Sequence, residues 1–255
     1  MALALANSLR GRVILVTGAG SGIGRATSIK LARLGASLVL SDINQETISG
    51  TQKRCECVSN EAQTHTTLTC DVSSNTEVDD MVEQVIHQHK TLHHVYNCAG
   101  VNPTPTFIEA TPDAYFTKLV DVNLRGTFNV SRACLPHLDA GSSIINVSSM
   151  AGIRPSAGLG VYAATKAAVI ALSKSLALEV GPRDIRVNVI APGDVETTTN
   201  AAVIEGEDAV RQSRDRIALG NFGTPDEIAE VAAFLFSDAS RYVNGTVIEV
   251  NGGLR

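Results

Sequence analysis

The stretch Thr17-Gly18-Ala19-Gly20-Ser21-Gly22-Ile23-Gly24 constrains this chain more than any other. It follows the apolar run Val13-Ile14-Leu15-Val16 and leads into a helical pattern from Ile23 to Leu34. Strand, glycine turn and helix in that order are the context a dinucleotide fingerprint requires. Glycines permit the tight turn and let the main chain approach a pyrophosphate, while the new helix points its free N–H groups at the anion. The spacing is GxGxGxG rather than the plain GxGxxG, and a structural turn without a ligand is the alternative it leaves open.

The rest of the chain alternates between two periodicities. Short β-branched runs at Val13–Val16, Leu38–Leu40, Thr66–Thr69, Val95–Asn97, Ile144–Val147, Val187–Ile190 and Val247–Val250 read as strands. Helical patterns lie between them, near 22–34, 44–59, 75–90, 112–136, 160–180 and 225–237. Asn75 and Thr76 precede an acidic first turn, and Thr224-Pro225-Asp226-Glu227 is a second helix start. The alternation runs through all 255 residues without a break in composition, which predicts one α/β domain: a Rossmann-type, doubly wound parallel sheet of about seven strands. Ligands of such folds gather at the carboxyl ends of the strands. Gly18, Asp42, Asp71, Asn97, Ser149 and Pro192 all fall at or just after predicted strand ends and are expected on one rim. From Asp194 to Phe222 the chain is polar, with no strand and only a weak helical pattern, which reads as a substrate lid; a peripheral helix pair used for packing is the alternative.

A second motif carries chemistry. Tyr162 and Lys166 in Tyr162-Ala163-Ala164-Thr165-Lys166 stand one turn apart on the same face of an Ala-rich helix. A free phenol has a pKa of about 10 and is a poor base at neutral pH, and an ammonium beside it favours the phenolate. Ser149 supplies a hydroxyl able to hold a substrate oxygen while the proton moves, with Ser148 a rival by residue type. Together they form a proton-transfer device aimed at an alcohol or a carbonyl.

Composition closes off other classes. Net charge is -5 and basic clusters are absent, so no nucleic-acid partner is expected. The apolar runs are too short to predict a membrane span, and Met1–Ala6 reads as a frayed terminus rather than a signal peptide. Five cysteines in no paired spacing read as free thiols, which points to the cytoplasm. His87, His89, His93 and His94 crowd together but lack partners at metal-ligand spacing, so no metal is expected.

TGxxxGIG, Asn97-Cys98-Ala99-Gly100, Ser149, YxxxK and Pro192-Gly193 occur in an order and spacing that resembles the short-chain dehydrogenase/reductase family, over about Leu9 to Leu254. The resemblance implies Tyr162 as general acid/base, with hydride passing to or from a nicotinamide. Lys166 would lower the Tyr162 pKa and bond the nicotinamide ribose, Ser149 would hold the substrate oxygen, and Asn123 would support a water chain from Lys166. Gly18, Ser21, Gly22, Ile23, Gly24, Asp42, Ile43, Asp71, Val72, Asn97, Ala99, Gly100, Tyr162, Lys166, Pro192, Gly193, Val195 and Thr197 would bind the cofactor. The Asp42 carboxylate suits free ribose hydroxyls and repels a 2′-phosphate. No Arg or Lys stands at Ser21 or Ile43, where NADP-using relatives often place one, so NAD is favoured over NADP. The pocket would draw on Val101, Pro103, Pro105, Phe107, Met150, Ile153, Pro155, Leu159, Val195, Val203 and Ile204, with few charges apart from Arg154, Glu196, Glu205, Glu207 and Asp208, a mainly apolar wall for a hydrophobic steroid-, terpenoid- or polyketide-like substrate. The family is usually tetrameric, which implies a homotetramer or homodimer paired through helices 112–136 and 160–180. An NADP-linked ketoreductase, a relative redirected to isomerisation or cyclisation, and a non-catalytic NAD-binding sensor remain as alternatives.

Overall fold

A computed structural model describes residues 8–197 and 206–255. Seven strands form one parallel sheet in the order β3-β2-β1-β4-β5-β6-β7. They are β1 (Val13–Thr17), β2 (Ser37–Asp42), β3 (His65–Thr69), β4 (Leu92–Asn97), β5 (Leu138–Val147), β6 (Arg186–Pro192) and β7 (Val247–Val250). Every expected strand is present. The chain order reverses at β1, which pairs with β2 on one side and β4 on the other, and that reversal opens a crevice at the carboxyl edge.

Period-two alternation sorts the strand side chains into two cores. Ile14, Val16, Leu38 and Leu40 face one way, beneath α1 (Gly22–Arg33), α2 (Gln45–Glu56) and, near the chain end, a helix at Pro225–Phe236. Val13, Leu15, Val39 and Val95 face the other, beneath α3 (Asn75–His89) and two later helices. The helix expected over 112–136 is interrupted: α4 (Asp113–Leu119) passes through a π-helical stretch, Val120–Arg125, into α5 (Gly126–Cys134). α6 (Gly160–Val180) matches its expected span, and α7 (Glu207–Asp215) gives the lid more helix than its sequence promised. α8 (Pro225–Phe236) starts with a capping box between Thr224 and Glu227. The cap of α3 is Ser74, which accepts the Glu77 N–H at 3.3 Å, one residue before the expected signal. Met1–Ala6, and Val203, Ile204 and Glu205 of the lid, lie outside the described residues.

By length and hydropathy alone Gly160–Arg183 would suffice to cross a bilayer, a test that the core helix of a globular domain also passes. In the fold this stretch is largely α6, which packs on the sheet, contributes Leu176, Ala177 and Val180 to the second core and carries the buried Lys166. Two of the crowded histidines serve the fold: His93 Nδ1 accepts the Val13 N–H at 3.0 Å, and His94 is buried against Phe236.

Candidate active site

The glycine turn works by close approach. Gly18 has φ +66°, and a Cβ there would stand 2.8 Å from the Ala99 main chain; a Cβ on Gly24 would overlap the Gly18 carbonyl. Both positions therefore require glycine. Thr17 Oγ1 accepts the N–H groups of Cys98 and Ala99 at 3.2 Å each, tying the ends of β1 and β4 together. At the α1 N-terminus Ser21 makes no capping bond and the first turn holds no acid. α2 and α3, by contrast, are capped by Asn44 and Ser74. No side chain thus caps the α1 N-terminus, where the helix dipole favours an anion.

Asp42 closes the turn from the side. Its Oδ2 accepts the Gly20 N–H at 3.0 Å and its Oδ1 the Asn44 N–H at 3.2 Å. Arg25, the cation of this turn, is engaged with the Gly20 carbonyl and with Thr51 Oγ1. Further along the rim, Asp71 Oδ1 accepts from the Ser73 N–H and hydroxyl, and Val72 packs beneath Gly126.

Ser149, Tyr162 and Lys166 converge where β5 meets α6. Tyr162 is half-buried and Lys166 is 6% exposed. Lys166 Nζ stands 5.8 Å from the Tyr162 ring centroid and donates to the Val147 carbonyl at 3.1 Å. Ser148 is committed elsewhere: its hydroxyl donates to the Lys166 carbonyl at 2.7 Å. Ser149 accepts the Ala151 N–H at 3.1 Å and bonds the Tyr162 hydroxyl.

The electrostatics correct one expectation. Burial pushes the Tyr162 phenol above its ordinary value, with the Ser149 bond pulling the other way, so the expected net lowering by Lys166 does not prevail here. Burial also pushes Lys166 down to about 8, which leaves its ammonium with less charge to lend than an exposed lysine near that pH.

A cleft of about 1160 Å³ runs along this rim. All the expected site residues line it except Asn97 and Asn123. Asn97 turns inward instead, donating to Ser131 Oγ at 3.1 Å and to Asn146 Oδ1 at 2.8 Å, and Asn146 donates to Ser173 Oγ at 2.8 Å. This buried network bolts β4 and β5 to α5 and to the helix carrying Tyr162 and Lys166. Its members other than Asn97 were missed in the sequence, where isolated Ser and Asn inside elements give no signal. Asn123, fully buried in the π-helical stretch, holds the loop after β4: its side chain bonds the Val101 N–H at 2.8 Å and the Val101 carbonyl at 3.2 Å. It still neighbours the lysine, since a Cβ on Gly100 would stand 3.0 Å from Asn123 Oδ1 and 3.4 Å from Lys166 Nζ.

At the substrate end Val101, Pro103, Pro105, Met150, Leu159 and Val195 line the cleft, whereas Phe107 and Ile153 do not. Phe107 is 66% exposed. Arg154 lines the wall as expected, and Asn102, Ser156, Ser213 and Arg216 join it, so this wall is more polar than the sequence suggested.

A family profile described as Enoyl-(Acyl carrier protein) reductase matches residues 18–255. The chain belongs to the short-chain dehydrogenase/reductase family. It is 36% identical over 248 residues to a 3-oxoacyl-[acyl-carrier-protein] reductase of Thermotoga maritima, covering 96% of this chain and 98% of that one. A Burkholderia cenocepacia short-chain dehydrogenase in complex with NADP is similar in structure, with TM-score 0.90, 30% identity and coverage of 97% and 99% of the two chains. A Brucella melitensis 3-ketoacyl-(acyl-carrier-protein) reductase complexed with NADH gives TM-score 0.87 and 31% identity, covering 96% and 99%. The protein is therefore an oxidoreductase acting on CH–OH groups, from a family that binds nicotinamide cofactors. The residues present fit such a dinucleotide: a glycine cradle that a Cβ would fill, an uncapped helix N-terminus and one continuous groove from Asp42 to Lys166.

Proposed function

We propose that this protein interconverts a secondary alcohol and a ketone on a largely hydrophobic substrate, using NAD(H), with Tyr162 as general acid/base. The observation that carries the reading is the convergence of Ser149, Tyr162 and Lys166 in the cleft that the glycine turn opens. A bound nicotinamide supplies the hydride acceptor or donor. The chain supplies the rest. The Ser149 hydroxyl orients the substrate oxygen. Tyr162 Oη gives that oxygen a proton in reduction and removes one in oxidation, and general acid–base transfer of this kind contributes about 10²–10⁴ in rate. Lys166, held by the Val147 carbonyl, steadies the phenolate. Asn123 fixes the loop at Val101 beside it.

Asp42 supports NAD over NADP. A 2′-phosphate would meet its carboxylate, and Arg25 is turned to Gly20 and Thr51 rather than into the cleft. Assembly as a homotetramer or homodimer is supported by exposed apolar side chains on the helices expected to pair: Phe116 at 51%, Phe128 at 44% and Leu178 at 80%. The cysteines are all free, which suits the reducing cytoplasm.

The test is incubation with NAD⁺, and separately NADP⁺, against hydroxysteroids, terpenoid alcohols and polyols, following cofactor absorbance and product mass. NAD⁺-dependent ketone formation that Tyr162→Phe abolishes supports the reading. Turnover unchanged in Tyr162→Phe overturns it.

A further inference from the structure

The charges along the cleft are distributed unevenly. On the dinucleotide side Asp42 and Asp71 already hold main-chain or hydroxyl donors. Asp121 is paired with Arg125 at 2.9 Å. Beyond Ser149 the lining turns basic, with Arg154 and Arg216. Arg154 uses Nη1 on the Leu254 carbonyl at 2.7 Å and has Glu249 at 3.7 Å, which leaves several of its five N–H donors unused. The Arg216 guanidinium makes no hydrogen bond or ion pair among the described residues. The acid that senses it, Asp194, is half-buried and pushed by burial toward its neutral form.

Main-chain bonds set the Arg216 segment against the C-terminal tail. The tail 252–255 runs against residues 216–219, with Ala218 N–H to Gly253 O at 3.2 Å, Leu219 N–H to Gly252 O at 3.0 Å and Arg255 N–H to Arg216 O at 2.9 Å. Leu254, in that tail, is also where Arg154 is anchored. The Arg154 guanidinium and the Arg216 main chain thus meet the same tail segment, and both arginines line a cleft whose walls also include Val101, Asn102, Met150, Ser156 and Leu159. Arg is the side chain suited to paired recognition of carboxylate or phosphate oxygens.

We propose that the substrate carries an anionic group, a carboxylate or a phosphate, at the end away from its reacting carbon, and that Arg154 and Arg216 receive it. This rests on the ketone/alcohol reading of the same cleft and narrows its substrate class to an apolar body with an acidic terminus.

The test uses matched pairs with NADH: levulinate against methyl levulinate, acetoacetate against methyl acetoacetate, and acetoacetyl-coenzyme A as the phosphate-bearing arm. Charge-assisted hydrogen bonds predict a kcat/KM preference of about tenfold to a hundredfold for an anionic member over its ester. Preference for the free acids assigns the subsite to a carboxylate, and preference for the thioester alone assigns it to a phosphate. The Arg154→Met/Arg216→Met double variant is expected to reduce that ratio to near unity. Equal rates on esters and anions, or a ratio unmoved by the double variant, overturn the inference. Binding of decanoate and decanamide to the protein–NADH complex reads the same subsite without turnover: equal affinities overturn it. Failure of NADH itself to bind would instead bring down the reading of the cleft on which it rests.

Discussion

The two ends of the cleft are built from different materials. At the dinucleotide end the main chain makes the site: the Gly18–Gly24 turn, the open N-terminus of α1 and the peptide groups that Thr17 ties together. At the substrate end side chains from the 101–107 loop, the Ser149–Leu159 stretch, the lid and the C-terminal tail make it. Main-chain geometry tolerates few residue types, so a substitution at the first end should unmake the site. Side chains on loops exchange more freely, so a substitution at the second should redirect it. Tyr162 and Lys166 stand at the junction, on a helix bolted to the sheet by the Asn97–Asn146–Ser173 network.

The largest expected effect falls at that junction. Tyr162→Phe should lower kcat by about 10²–10⁴ while leaving NAD(H) affinity near the wild-type value, as steady-state kinetics beside direct cofactor titration would read. Lys166→Met should also abolish turnover, yet it should raise stability. The folded pKa of Lys166 is lowered to about 8 from 10.5, so the unfolded chain binds the extra proton between those values. Folding therefore carries the full cost of burying the charge below pH 8, about 3 kcal/mol at most, and is relieved of it as pH rises toward 10.5. Urea unfolding should show the variant ahead at pH 7 and the gap closing above pH 8. A gap that widens with pH would contradict this.

Next in size is the contrast between the two ends. Gly24→Ala must displace the Gly18 carbonyl, which should cost about 1–3 kcal/mol and lower NAD(H) affinity. Pro105→Ala at the other end should change stability by less than about 1 kcal/mol and act mainly on KM. Thermal unfolding with and without cofactor separates the two, and equal losses would erase the distinction. The pH dependence should be directional as well. Because burial raises the Tyr162 phenol, its protonated form dominates near neutrality, so ketone reduction should be favoured there and alcohol oxidation should rise with pH. The smallest effect belongs to Thr224→Ala, which removes half of the α8 capping box and should cost about 1 kcal/mol with little change in kcat.

How much of this could be read beforehand follows the same division. The seven strands, the glycine turn and the Tyr162/Lys166 pairing were legible because spacing and residue type alone specify them. The family resemblance favours Ser149 over Ser148, and the Ser148 bond to the Lys166 carbonyl is a physical reason for that choice. Asn97 turns inward from the cleft, and Asn123 holds the loop after β4 while neighbouring Lys166. Asn97 lies where β4 ends beside α5, and the π-helical stretch turns Asn123 onto Val101. Arg154 was legible at the pocket, but Arg216 was not, because only the pairing of the C-terminal tail with residues 216–219 brings its segment to the same rim. The direction of the Tyr162 shift depended on burial, which the local motif does not contain.

The most direct test of the central claim is label transfer from NADH deuterated at the transferable position, in the presence of a ketone the protein accepts. The account predicts deuterium on the carbinol carbon in step with NADH consumed, and loss of both in Tyr162→Phe. Conversion of substrate without net NADH consumption, or with no deuterium on that carbon, would contradict it and show that the cleft serves a different reaction.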